Sequence, residues 1–171
     1  IKSARLQSWN YGWAAAYFVT ICTQNREHFF GEIVENRMQL SEIGKIVDLE
    51  WIKTFKMRPD MNLEMGEYIV MPNHFHAIII IGDNEYNSQR RDAIHGGDGM
   101  HCTSTDTDNK NKFGVQSKNL AAIIRGFKSS VTTYARKHGM ADFRWPTRFH
   151  EHIIRNSDSF DKITNYIQTN P

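Results

Sequence analysis

The segment Met71-Pro-Asn-His-Phe-His-Ala-Ile-Ile-Ile-Ile81 sets two histidines, His74 and His76, on either side of one phenylalanine at the head of an apolar run. On a β-strand residues i and i+2 share a face, about 6–7 Å apart. The two imidazoles then project together, while Phe75 points the other way and anchors the strand in a core. Two imidazoles on one rigid strand make a pair of metal ligands. They also fit two strand histidines with ordinary polar partners, and the residues alone leave both readings open. A second pair, His150 and His152, brackets Glu151. A charged middle residue cannot be the same buried anchor, so this pair reads as structural or nucleic-acid-facing. His95, His101 and Cys102 sit in a polar stretch that offers neither a fourth ligand nor a stiff frame.

Nucleophiles are fewer. There is no Ser-His-Asp order, nucleophile elbow, Walker loop or dinucleotide fingerprint. Tyr134 shares an apolar helical stripe with Phe127 and Val131 and is expected in the core. Tyr166 lies one step off the Ile163/Ile167 stripe of the last helix, with Asn170 at i+4 on the same face. By itself it is an ordinary half-buried helix aromatic. A polar stripe of Lys118, Arg125, Lys128 or Ser129, Thr132 and Arg136 is either a phosphate-contacting surface or a solvated helix face.

The elements that must carry these residues follow from periodicity. Residues 1–16 read as an arm and 17–23 as a buried strand of β-branched and aromatic residues. Leu40, Ile43, Val47 and Trp51 mark a helix capped by Ser41 and ended near Met57 by Pro59. Residues 62–71 and 74–82 read as strands joined by Pro72-Asn73 turn chemistry. The polar, Gly-rich stretch 83–116 is expected to be a long mobile loop. Leu120, Ile123, Ile124, Phe127, Val131 and Tyr134 form the stripe of a second helix, with Ser117 as cap and Gly139 as stop. Residues 148–155 read as a strand, and Ser157 caps a last helix over 158–169 with Phe160, Ile163 and Ile167 inward. The order is βαββαβ plus a helix. That predicts an α+β, ferredoxin-like split βαββαβ fold: an antiparallel sheet with two helices on one face and the other face free.

Composition sets the outer limits. The 171 residues are 40% hydrophobic and 23% charged, which fits one globular domain over 1–171 and excludes wholesale disorder. No apolar run approaches the roughly 20 residues that span a bilayer. The opening Ile-Lys-Ser-Ala-Arg has no signal-peptide core. Two cysteines, Cys22 and Cys102, make no disulfide framework, so a reducing, cytoplasmic location is expected. A net charge of +2 permits nucleic-acid binding without arguing for it.

Four ordered segments go further: Tyr17-Phe-Val-Thr-Ile-Cys-Thr-Gln-Asn-Arg26, Met71-Pro-Asn-His-Phe-His76, Glu151-His-Ile-Ile-Arg-Asn156 and Asn165-Tyr-Ile-Gln-Thr-Asn-Pro171. Together they resemble the single-tyrosine HUH transposases, in particular the REP-associated tyrosine transposases, over almost the whole chain except 83–116. The resemblance implies a ferredoxin-like nuclease fold with a divalent metal, Mg²⁺ or Mn²⁺, held by His74 and His76 with Phe75 as the hydrophobic residue between. It also implies Tyr166 as the nucleophile on the C-terminal helix and Asn170 as third metal ligand. The implied activity is cleavage and rejoining of single-stranded, hairpin- or repeat-bearing DNA through a 5′-phosphotyrosine. The stripe Lys118, Arg125, Lys128 and Arg136 would then contact DNA. A replication-initiator- or relaxase-like nickase and a non-catalytic domesticated DNA-binding module are the alternatives. No membrane partner is implied, location at the nucleoid follows when DNA is bound, and monomer and homodimer stay open. The chain departs from the pattern at Phe149-His150, where relatives often carry two tyrosines. It also ends at Pro171, where relatives commonly continue.

Overall fold

A computed structural model describes residues 9–88 and 117–170. Most of the loop read at 83–116 lies outside the described residues, as do His95, His101, Cys102, the first eight residues of the arm and Pro171. The elements are β1 (Ala15–Cys22), β2 (Gly31–Val34), β3 (Arg37–Leu40), α1 (Glu42–Lys56), β4 (Leu63–Met71), β5 (His74–Ile81), α2 (Leu120–Lys137), β6 (His150–Ile154) and α3 (Ser157–Gln168). Four strands form one antiparallel sheet in the order β4-β5-β1-β6. That order is the ferredoxin-like split βαββαβ arrangement, with α3 added after it.

Each strand divides its residues between two faces, and the two faces are built differently. On the first, Tyr17, Val19 and Ile21 of β1 and Phe75, Ala77, Ile79 and Ile81 of β5 pack against α1 and α2 in the main core. Trp51 of α1 is its centre, with ring centroids 5.0 Å from Phe75 and 5.3 Å from Phe127. On the second face Ile78, Ile154 and Ile167 form a smaller buried cluster, bordered by Phe18, Ile80, Phe160 and Ile163. So α3 docks on the face that the sequence left open, by the apolar stripe expected of it.

The helix ends follow local chemistry. Ser41 accepts a hydrogen bond from the Gly44 N–H at 3.1 Å and starts α1. Leu40, read as part of that helix, instead ends β3. Gly44 is required there, because a Cβ would stand 2.1 Å from the Phe30 carbonyl oxygen. The cap of α2 is Asn119, not Ser117: its Oδ1 accepts from the Ala122 N–H at 2.9 Å. Asn156 does the same for α3, accepting from the Ser159 N–H at 2.8 Å, so Ser157 is the first helical residue rather than the cap. In both cases the amide oxygen, held on extended backbone, reaches the third residue on. Gly139, in the left-handed region at φ 76°, ends α2 as expected.

The β2–β3 hairpin is an addition between β1 and α1. Its two turn residues, Glu35 and Asn36, are both left-handed, at φ 50° and 59°. That is the backbone of a two-residue hairpin turn whose twist matches the strands.

Candidate functional site

The register of the central strands decides which side chains meet. Pairing of β1 with β5 sets Thr20 opposite His76 and Cys22 opposite His74. Because Phe75 belongs to the main core, His74 and His76 must emerge on the second face, beside α3. Their ring centroids lie 4.6 Å apart. The twelve-residue α3 crosses this face and brings Tyr166 to His76, its hydroxyl 3.3 Å from Nε2. Tyr166 is 48% exposed, so the phenol lies at the rim of the site rather than inside it.

His76 is 7% exposed and held on three sides. Thr20 Oγ1 lies 2.8 Å from Nδ1. Phe18 stacks on the ring at 5.3 Å and 25°, and meets the Tyr166 ring edge-on at 6.4 Å. Burial, with the nearby His74 adding to it, pulls the His76 pKa down to about 4. His74 is half-buried, with Nδ1 2.7 Å from Asn73 Oδ1. Its pKa is also lowered, first by burial and then by the charge of Arg26. Both rings are therefore neutral near pH 7, the form in which imidazole ligates a metal.

Asn170 follows α3 and folds back on it: its Nδ2 donates to the Tyr166 carbonyl at 2.6 Å. The amide oxygen is the atom left for a ligand. Among the described residues no group of three or more His, Cys, Asp or Glu gathers into a metal site. The donors this face brings together are the two imidazoles, and a divalent ion on them would take further oxygens from the protein, phosphate or water.

Tyr134 lies across the sheet from this site, on α2. It is not a core residue, contrary to expectation. Its hydroxyl donates to Glu42 Oε1 at 2.8 Å and its ring stacks on His138 at 3.8 Å. The ring reaches the edge of the α1–α2 contact, where a phenol can satisfy its hydroxyl. Of the second histidine pair, His150 and His152 are exposed on β6, paired with Thr20 and Phe18 of β1. They share the face of His76, with β1 between.

The four basic residues do not form one free stripe. Lys118 precedes α2, pairs with Asp60 and lies 4.6 Å over the Tyr86 ring. Lys128 reaches the Pro146 carbonyl and lies 5.8 Å over Trp145, and burial lowers its pKa. Arg125 and Arg136 are exposed and, with Ser129, Thr132 and Trp145, line a shallow groove of about 350 Å³. Since α2 packs on the Phe75 face, this groove and the His74–Tyr166 site are on opposite sides of the sheet.

Three contributors were not singled out from the sequence: Phe18, Thr20 and Asn73. Alternation along β1 placed Phe18 and Thr20 opposite its core residues. Only the β1–β5 register tells that this is the face of the histidines.

No protein-family model matches the chain. An uncharacterized protein of Haemophilus influenzae is 33% identical over 170 residues, covering 99% of this chain and 87% of that protein. Among solved structures, a REP-associated tyrosine transposase bound to a REP hairpin superposes with a TM-score of 0.58 at 19% identity. The match covers 99% of this chain and 73% of the transposase. The chain belongs to one family with the Haemophilus influenzae protein, and its fold is that of the REP-associated tyrosine transposase.

Proposed function

We propose that the chain is a metal-dependent single-tyrosine transposase that cleaves and rejoins single-stranded, hairpin-bearing DNA, with Tyr166 as nucleophile. The observation that carries this reading is the Tyr166 hydroxyl 3.3 Å from His76 Nε2, next to His74 on the same strand. A helix outside the ferredoxin-like unit brings a phenol to a histidine pair, which a purely structural helix would have no need to do. The fold shared with the REP-associated transposase supports it.

His74 and His76 would hold a divalent ion, Mg²⁺ or Mn²⁺, through Nε2, with the Asn170 oxygen as third ligand. When bound, the ion supplies Lewis-acid polarisation of the scissile phosphate. The chain does the rest. Attack by the Tyr166 oxygen forms an O–P bond and breaks the bond from phosphorus to the 3′ oxygen. The leaving oxygen gains one proton for the one the phenol loses. The product is a 5′-phosphotyrosine and a free 3′-hydroxyl, and a second hydroxyl reverses the step without ATP. His76, with its pKa near 4, is too weak a base to take the phenol's proton outright. In the metal-free site His76 Nε2 orients the Tyr166 hydroxyl; with the ion on that nitrogen the phenol must leave it. Phe18 buttresses both rings. On the far side of the sheet, exposed Arg125 and Arg136 contact phosphates, while Lys118 and Lys128 reach DNA only by leaving Asp60 and Pro146.

The test is cleavage of a labelled oligonucleotide panel bearing repeat hairpins, with Mg²⁺ or Mn²⁺. Cleavage is expected in the parent and lost in His74→Ala and His76→Ala, both still folded. A double variant that nicks at the parent's rate removes the metal assignment.

A further inference from the structure

Each imidazole of the site meets a neighbour at Nδ1, Asn73 for His74 and Thr20 for His76. Asn73 is oriented by its own second bond: Nδ2 donates to the Arg26 carbonyl at 3.2 Å, which turns Oδ1 to His74 Nδ1 at 2.7 Å. A carbonyl oxygen only accepts, so neutral His74 carries its hydrogen on Nδ1 and a lone pair on Nε2. Thr20 is ambiguous by itself, since a hydroxyl can donate or accept at the 2.8 Å contact with His76 Nδ1. The other end of the ring resolves it. His76 Nε2 faces the Tyr166 hydroxyl at 3.3 Å. A phenol O–H is a more acidic donor than a neutral imidazole N–H, and a ring-nitrogen lone pair is a better acceptor than a phenol oxygen. Tyr166 therefore donates to Nε2, the ring hydrogen sits on Nδ1, and Thr20 accepts it. Histidine free in water prefers the opposite tautomer, so holding both rings in this one takes partners at Nδ1.

We propose that Asn73 and Thr20 are positioning residues that lock His74 and His76 in the Nδ1–H tautomer, leaving both Nε2 lone pairs as the reactive atoms of the site. Partners of this kind at the far nitrogen fix ring orientation as well as tautomer. The consequence for cleavage rests on the transposase reading. The tautomers themselves do not, because they are read without DNA or metal.

The experiment is ¹⁵N NMR of the imidazole rings in the full chain, free of DNA and metal, at a pH where both are neutral. Nδ1–H is expected for both. Thr20→Val keeps the β-branched shape but not the acceptor, and should move His76 toward the Nε2–H form with His74 unchanged; Thr20→Ser should restore it. Asn73→Ala should release His74 alone. Backbone spectra show whether each variant is folded. With hairpin oligonucleotide and Mn²⁺, Thr20→Val should slow covalent-adduct formation about 10–100-fold, as loss of such partners does, while Thr20→Ser stays near the parent. An Nε2–H His74 in the parent, or an unchanged His76 tautomer in folded Thr20→Val, overturns the proposal. A parent with both predicted tautomers but no adduct supports it and removes the transposase reading instead.

Discussion

Replacing Ile167 by Ala should undock α3 without unfolding the rest of the molecule. Ile167 is 1% exposed and packs with Ile78 and Ile154, while its helix neighbours Phe160 and Ile163 are only half-buried. Truncating a buried isoleucine to alanine costs about 2–5 kcal/mol. A helix of twelve residues is not stable alone in water, so α3 persists only through this small cluster. The main core around Trp51, Phe75 and Phe127 lies on the other face and loses nothing. At about 1.4 kcal/mol per tenfold, hydrogen-exchange protection of α3 amides should fall by about 30- to 4,000-fold, with β1 and β5 unchanged. Phe127→Ala, in the main core, should lower protection throughout. Adduct formation in Ile167→Ala should fall with the docked fraction, because Tyr166 loses its place beside His76. The reasoning is refuted if β1, β5 and α3 lose protection equally, which would make α3 part of one cooperative unit. Undiminished protection in α3 would refute it from the other side.

Acid should destabilise the fold through His76. Its folded pKa is about 4 against 6.5 for the free ring, so the unfolded chain binds the proton first. The stability is full above pH ~6.5 and is lost as pH falls toward ~4, by about 3 kcal/mol in all, and His76→Gln should flatten denaturant midpoints over that window. Tyr134→Phe removes the exposed bond to Glu42, should lower the denaturant midpoint only slightly, and should leave adduct formation intact. Neutralising Arg125 and Arg136 together should weaken DNA binding and lower the salt-dependence slope by about 2, one for each phosphate left without its arginine. A slope equal to the parent's places the DNA elsewhere.

The fold was legible where periodicity was long. The stripes of α1, α2 and α3 and the apolar runs of β1 and β5 led to the ferredoxin-like order that the sheet shows. What escaped was short or non-local. The β2–β3 hairpin has four-residue strands and a Glu-Asn turn, without the Asn-Gly or Asp-Gly pair that marks such turns most strongly. The caps slipped because serine and asparagine compete as caps, and backbone geometry chooses between them. His74, His76, Tyr166 and Asn170 could be named from spacing and resemblance. Thr20 joins them only through its register with His76, 56 residues away. Lys118 looked like part of a helical stripe because its pairing with Asp60, far off in sequence, leaves no local trace.

The central claim is that Tyr166 forms the covalent bond to DNA. Peptide mapping of the adduct trapped on a hairpin-bearing oligonucleotide with Mn²⁺ tests it most directly. The account predicts that the DNA-linked peptide contains Tyr166 and that Tyr166→Phe folds and binds DNA but yields no adduct. A DNA-linked peptide carrying Tyr134, or an adduct undiminished in Tyr166→Phe, would contradict it.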